Sequence, residues 1–429
     1  MDTLQTTSIT PVRHKTCLSW RKSDSVWMLG IYGTAIGAGV LFLPINAGAG
    51  GILPLIIMSL LVFPMTYFAH RGLCRLALSG KTECHDITDV VEQHFGRKAG
   101  NIITLLYFFA IYPILLVYAV AITNTVENII INQLNHNAPP RSVLALILLM
   151  GLMAIVRLGK EVIVKVMGML VFPFVAVLLF LSLFLIPHWS MDIFRQPLVI
   201  DASSQGGFIN TLWLAIPVLV FSFNHSPIIS AFAMAKKEEY GDYAEAKCSR
   251  ILLLSNILMV ITALFFVFSC VLSLTPAHLA QAKMQNISIL SFLSNHFHNP
   301  FIGVMAPLVA LVAITKSFLG HYLGASEGFS GLLVRSLSQQ GITLQKTSIT
   351  RLTGIFMLIT TWAVATSNPN ILGIIEMLGG PIIAILLFLL PMYSINKVPA
   401  MAKYRGAVSN FFVWIIGFFA LSAILYKMF

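Results

Sequence analysis

The sequence predicts an all-α polytopic membrane protein of about eleven transmembrane helices: two inverted five-helix repeats, each opening with a discontinuous helix, plus one extra C-terminal helix. Composition is the first reason. Of 429 residues, 57% are hydrophobic and only 10% charged, against about 25% charged in an ordinary soluble domain. No water-soluble fold of this size could hide that much apolar surface. The second reason is spacing. Apolar runs of the roughly 17–25 residues that cross a bilayer occur at approximately 26–47, 51–70, 101–126, 142–156, 164–186, 208–234, 251–274, 301–323, 352–367, 371–394 and 409–428. The third is charge. On an N-inside topology, 22 of the 27 Lys and Arg fall inside, four (Arg141, Arg195, Lys283, Lys427) fall outside, and Lys316 lies within a span. That asymmetry is the positive-inside rule, and it places the N-terminus inside and the C-terminus outside.

The net charge of +11 is therefore a signal of topology. A nucleic-acid partner is not expected, and contacts with anionic lipid headgroups are incidental. The first apolar segment is too long for a signal-peptide core and no small-residue cleavage site follows it, so no cleavable signal is expected. Residues 1–25 read as a polar cytoplasmic tail and 26–429 as one transmembrane domain. Cys17, Cys74, Cys84 and Cys248 face the reducing side and Cys270 lies in a span, so disulfides are not expected. The cysteines and histidines show no metal-ligand spacing, and most of the 11 histidines read as solvated loop residues; His225 and His321 are the exceptions.

Span one contains IYGTAIGAGVLFLP, Ile31–Pro44, with Gly33, Gly37 and Gly39 at mid-membrane depth. Each glycine costs roughly 1 kcal/mol against alanine in a helix, so the hydrogen-bond ladder is weak there. Non-helical backbone at that depth requires burial in protein or a wet cavity. Gly33 and Gly37 alone would also fit a small-residue packing face; a second broken helix would decide. Span two carries Pro54 and Pro64 and ends in the basic run HRGLCR. The inside loop after it contains DITDVVEQHFG, an amphipathic helix with Asp86 or Thr88 as N-cap. Span three is aromatic, with Tyr107, Tyr112 and Tyr118. Span four is short and joins span five through VRLGKEVIVK.

Span six supplies the second break. In WLAIPVLVFSFNHSPIISAF, Pro217 and Pro227 bracket Ser222, Asn224, His225 and Ser226, and a proline breaks a helix at its preceding turn. A merely kinked helix with its polar groups bonded to neighbours is the plainer alternative. Spans one and six run in opposite directions, as they do in inverted-repeat secondary transporters, where half-helix ends hold substrate carboxylates and coupling ions. The repeats would cover about 26–186 and 208–394, with 409–428 added. No letter-by-letter repeat supports this.

The charged inside segment KKEEYGDYAEAKCSR after span six has helical character and reads as structural. Between spans seven and eight, Thr275 caps and Pro276 starts a helix, and ILSFL gives a second apolar piece; the segment is either a lid over an outer vestibule or ordinary surface. Span eight contains Lys316, about three turns from either end. A central lysine costs about 2.5–3.5 kcal/mol on insertion scales, so either a function or a structural ion pair must hold it. Thr315, Ser317 and His321 lie close along the same helix. In span ten, Glu376 is the one acid well inside a span, placed to pair with a polar group of span one or three as an outer gate, or simply to pack.

Together GTAIGAGVLFLPINAG, FSFNHSPIIS, ITKSFLGHYLG and LGGPIIA resemble the hydroxy and aromatic amino acid permease family of the amino acid–polyamine–organocation superfamily. The resemblance covers nearly the whole chain from Trp20 and extends to EEYGDYAEAKCS and KVPAMAKYRG. It implies a LeuT-like inverted-repeat fold and proton-coupled serine uptake across a bacterial inner membrane. The segment NHSPII differs from its counterpart in a threonine-carrying relative, yet L-threonine stays open as a second substrate. On this resemblance, Thr34, Ala35, Ile36, Gly37, Ala38 and Gly39 offer backbone to the substrate carboxylate. Phe221, Ser222, Asn224, His225 and Ser226 face its ammonium and hydroxyl, and Tyr112 is a phenol donor to the carboxylate. Lys316, with Ser317 beside it, would take the place of a sodium ion between spans one and eight, since a buried lysine can exchange a proton. His225 is the rival proton carrier. No cofactor is expected; the coupling ion is H+, with Na+ as the alternative.

Three other readings compete. A sodium-coupled or threonine-carrying symporter would share this fold. A channel would need a ring-forming selectivity motif, and a membrane enzyme would need HExxH, GxSxG or paired acids; none occurs in the spans. A sensor that binds an amino acid without moving it could have the same pocket.

Overall fold

The computed structural model describes residues 19–48, 51–81, 86–158, 160–195, 208–297, 299–339, 341–342 and 345–428. Span one is divided: helix α1 (Lys22–Ala35) ends at Ile36, Gly37 is extended, a 3-10 turn covers Ala38–Leu41, and α2 (Leu43–Ala47) completes the crossing. Span six is divided in the same way, into α8 (Phe208–Ser222) and α9 (Ser226–Tyr240). Pro217 stays inside α8, whereas Pro227 sits in the first turn of α9, where its missing N–H is no loss. The break therefore falls between the two prolines.

For these and the remaining helices the labels follow chain order. Spans two to five are α3 (Ile52–Ser79), α5 (Arg97–Asn128), α6 (Arg141–Val156) and α7 (Lys160–Leu185), with the short α4 (Ile87–Phe95) between the first two. Asp86 caps α4, accepting from the N–H groups of Thr88 and Asp89. Span seven is α10 (Ala244–Ser273), followed by α11 (Pro276–Met284) and α12 (Ile289–His296). Spans eight to eleven are α13 (Pro300–Gln339), α14 (Lys346–Ser367), α15 (Ile371–Lys397) and α16 (Val408–Met428). Two single-turn π-bulges, Ile375–Gly379 and Ile385–Leu389, interrupt α15.

Among the described residues seven helical runs are long and apolar enough to cross a membrane, and three shorter apolar helices accompany them. One run, Ser226–Ser273, joins the second half of span six to span seven through Gly241, which turns the chain at φ +52°. With the divided first span, this accounts for the eleven crossings. Several helices outrun their apolar stretches. The apolar run of span eight ends near 323, yet α13 continues to Gln339; at 1.5 Å per residue its 40 residues span about 60 Å. Exposed Leu60, Ile147, Ile261, Val304 and Phe411 ring the outside, where hydrocarbon replaces water.

At the end of the bundle that carries the N-terminus, helix formation starts at Lys22, inside the stretch expected to be a polar tail. Asp24 is fully buried. Its carboxylate accepts from Lys236 Nζ at 2.7 Å, Lys247 Nζ at 2.8 Å and the Tyr240 hydroxyl at 2.9 Å. Burial alone would raise the pKa of Asp24, but the hydrogen bonds from Lys236 and Lys247 outweigh it and hold the carboxyl well below the usual carboxylate range. Lys236 also reaches Glu239 at 2.6 Å. The charged segment after span six is thus a buried clasp between α1, α9 and α10. Among the described residues Cys74, Cys248 and Cys270 are free thiols; Cys17 and Cys84 lie outside them.

Candidate functional site

The two breaks face each other at the middle of the bundle. An interrupted helix leaves carbonyls without partners on one side and N–H groups on the other. Span eight answers both from adjacent residues. Lys316, 4% exposed, donates from Nζ to the carbonyls of Gly33 and, at 3.1 Å, of Ile36. Ser317 Oγ accepts from the N–H of Ala38 at 3.0 Å. One turn of α13 therefore places a cation on the freed carbonyl end and a hydroxyl on the freed amide end. Gly37 lets this happen: a Cβ there would stand 2.8 Å from Ser317 Oγ.

Span six closes from the other side. Ser222 Oγ donates to the Gly39 carbonyl at 3.2 Å. A Cβ on Gly39 would meet the Phe221 ring at 3.1 Å and Ser222 Cα at 3.2 Å, so the glycine permits close backbone approach. Phe221 also packs against Gly379 of span ten and Tyr118 of span three. Asn224 is spent partly on structure, its Oδ1 accepting from the Ser226 N–H at 3.1 Å, which starts α9. Asn224, Ser226 and His321 are half-buried.

Several expected positions are placed elsewhere. Tyr112 is not at the breaks: its ring stacks between Phe108 and Phe356 of span nine. The phenol at the site is Tyr118, whose hydroxyl lies against Ser317 and the Gly39 backbone and whose ring meets His321 edge-on. Thr34 is exposed and donates to Gly30 within its own helix. Ala35, Ile36 and Ala38 are buried, and the Ala38 N–H is already taken by Ser317.

His225 turns away from Ser222 toward span two. Its ring lies flat on that of His70, with centroids 3.4 Å apart and 6° between planes. His70 reads as a solvated end of span two in the sequence, yet it is 1% exposed. Its Nδ1 donates to the Thr66 carbonyl at 2.7 Å and its Nε2 accepts from the His225 N–H at 3.2 Å. His225 Nδ1 donates to the Phe223 carbonyl at 3.0 Å, and its Nε2 has no partner among the described residues. These partners make His70 the neutral Nδ1–H tautomer and place a proton on Nδ1 of His225. Toward the opposite end of the bundle from Asp24, Asn46 of α2 donates to Glu376 at 3.2 Å, and both are buried. The contact joins span one to span ten.

The profile of the tryptophan/tyrosine permease family matches residues 23–426, which takes in both breaks and all eleven spans. The chain belongs to that family. Among curated proteins of known name, this permease is 63% identical over 430 residues to the serine transporter SdaC of Escherichia coli strain K12, covering 100% of both chains. It is 62% identical, with the same coverage, to the serine transporter SdaC of Shigella flexneri. Solved structures share the permease's fold at low identity. A mutant of the Eremococcus coleocola manganese transporter superposes with a TM-score of 0.64 at 12% identity, covering 96% of this chain and 87% of the other. MhsT in complex with L-phenylalanine gives 0.54 at 16% identity, covering 95% and 98%. These two carry the fold alone, a LeuT-type inverted repeat with broken first and sixth helices.

Proposed function

We propose that this permease imports L-serine across a bacterial inner membrane by proton symport, with its N-terminus in the cytoplasm and its C-terminus in the periplasm. The substrate is proposed from the 63% and 62% identity, over the full length of the chain, to transporters named for serine. The coupling is proposed from one observation, the Lys316 ammonium on the Gly33 and Ile36 carbonyls. A protonated lysine there ties α1 to α13. A lysine that has given up its proton loses a donor and its charge, so the same carbonyls hold it less well and α1 is freer to swing. Proton binding and helix position are thereby linked, which is what symport requires.

For the substrate, the donors and acceptors at the breaks suit a zwitterion. The carboxylate would approach the amide end of span one, where a helix N-terminus favours an anion, with Tyr118 as the phenol beside it. Ser222 and Asn224 would take the ammonium and hydroxyl. Buried polar partners left unpaired by alanine would select the hydroxyl. L-threonine is a second substrate to the extent that Phe221 leaves room for its methyl.

The test is radiolabelled L-serine uptake into proteoliposomes with an alkaline interior and no sodium. Concentrative uptake that an uncoupler abolishes is expected, and L-threonine competition ranks the substrates. Uptake only after adding sodium would overturn proton coupling; saturable binding without uptake would make the chain a sensor.

A further inference from the structure

At the end of the bundle opposite Asp24, α5 and the helices α11 and α12 border an open cleft of about 380 Å3 that the transport site does not use. That is within the roughly 300–1,000 Å3 of small-molecule sites. Its walls are dominated by primary amides. Asn124, Asn128 and Asn132 recur every fourth residue along the end of α5 and its π-turn, facing Gln281 of α11, Gln285 at its C-cap and Asn295 of α12. Arg141 holds this wall in place with three of its five donors. Its Nε donates to the Ala365 carbonyl, Nη1 to Glu127 and Nη2 to Asn124 Oδ1. Glu127 spends Oε2 on that contact, leaving its other oxygen to the cavity.

Two features point to an occupant. The Oδ1 of Asn128 is buried without a partner among the described residues, and an unsatisfied buried acceptor costs about 1–3 kcal/mol until a donor fills it. Glu127 beside it, paired with Arg141 through Oε2, offers its second oxygen as a further acceptor. An ammonium answers both, while the amide NH2 groups opposite can donate to a carboxylate or hydroxyl. A simple cation would leave those donors idle, and an anion would meet Glu127. The roof is also tied to the transport machinery. Asn286, held at φ +56°, bonds through its carbonyl to Asn124 and through its side chain to Asn368, Pro369 and the N–H of Ile371, the first residue of span ten.

We propose that this cavity is a second binding site for a small zwitterionic amino acid, an antechamber on the periplasmic side of the gate formed by Asn46 and Glu376. The ligand identity rests on the serine reading above. Equilibrium binding of radiolabelled L-serine to the full-length protein in nanodiscs tests it. Wild type should bind two serines per chain. Asn128→Leu and, separately, Gln285→Leu should each weaken one class of sites at least tenfold, and Gly37→Leu should remove the other. Two variants on different helices guard against misfolding of either one. One serine per chain, lost with Gly37→Leu and unmoved by both amide variants, would overturn the antechamber while keeping the serine reading. No serine binding by wild type would overturn the serine reading itself and the antechamber with it.

Discussion

Lys316 meets two carbonyls that no helical hydrogen bond can reach, so its replacement removes a charge and two bonds together. Leaving buried acceptors unpaired costs about 1–3 kcal/mol, and 1.4 kcal/mol is tenfold in an equilibrium. Lys316→Met is therefore expected to lower proton-driven serine accumulation at least about tenfold in proteoliposomes; uptake that stays concentrative and uncoupler-sensitive would make Lys316 packing. The depth of this lysine was legible in the sequence, because a charge in mid-span must be answered by something. The phenol was not. Tyr112 and Tyr118 lie on one helix, about 120° apart around it at 3.6 residues per turn, and nothing local says which face meets the breaks. Tyr118→Phe should raise the KM for serine about 2- to 10-fold, the range of one hydrogen bond of about 0.5–1.5 kcal/mol. Tyr112→Phe, whose ring packs on Phe356 of span nine, should leave KM within twofold, and the reverse ranking would restore Tyr112. His70 was missed for a related reason: it abuts Arg71 in a run that reads as a solvated terminus, and only the packing of α9 on α3 buries it.

At the scale of elements, the breaks were readable because glycine and proline act through the backbone, which is a local property. What joins broken elements to their neighbours was not readable, since it depends on partners hundreds of residues away. The stacked His70 and His225 connect the span-six break to α3, and a variant of His225 tests which of the two proton carriers is used. If the imidazoles carry the coupled proton, His225→Asn should flatten the pH profile of uptake; with Lys316 as carrier the profile keeps its shape while the maximal rate falls. The clasp at Asp24 is a second long-range joint. Removing one partner of a buried ion pair costs about 3–5 kcal/mol because the other charge is left uncompensated, and Asp24 serves both Lys236 and Lys247. Asp24→Ala should lower the unfolding temperature in detergent sharply, while replacing Asp24, Lys236 and Lys247 together by Leu or Met should recover much of the loss. The pH dependence follows from the depressed pKa of Asp24. A carboxyl held below its unfolded value of about 3.9 contributes fully above that value and loses its contribution as pH falls toward the folded one. The clasp's contribution should thus be constant from pH 5 to 8 and decline only below about pH 4; a wild-type decline already present at pH 6 and absent from Asp24→Ala would contradict it.

For the whole molecule, the inverted architecture was inferred from break positions and charge asymmetry rather than from repeated letters, because a repeat conserves backbone geometry while lipid-facing and packing residues drift. Orientation rests on charge alone, and the structure offers two well-separated exposed positions to test it. Met284, 80% exposed, ends α11 between spans seven and eight, and Thr347, also exposed, begins α14 between spans eight and nine. The 40-residue helix α13 lies between them and so sets them on opposite faces of the membrane. Counting crossings from an inside N-terminus puts Met284 in the periplasm and Thr347 in the cytoplasm, where flanking Arg335, Lys346 and Arg351 satisfy the positive-inside preference. In a background with the five cysteines replaced, a membrane-impermeant maleimide should label Met284→Cys in spheroplasts with intact inner membranes, and Thr347→Cys only after permeabilisation. The opposite pattern would invert the chain, move the amide-lined cavity to the cytoplasm and turn the Asn46–Glu376 contact into an inner gate. The direction of net transport would not change with it, because a coupled transporter runs down the combined gradients of ion and substrate; what this assignment decides is which face of the membrane each end of the site and the amide-lined cavity open to.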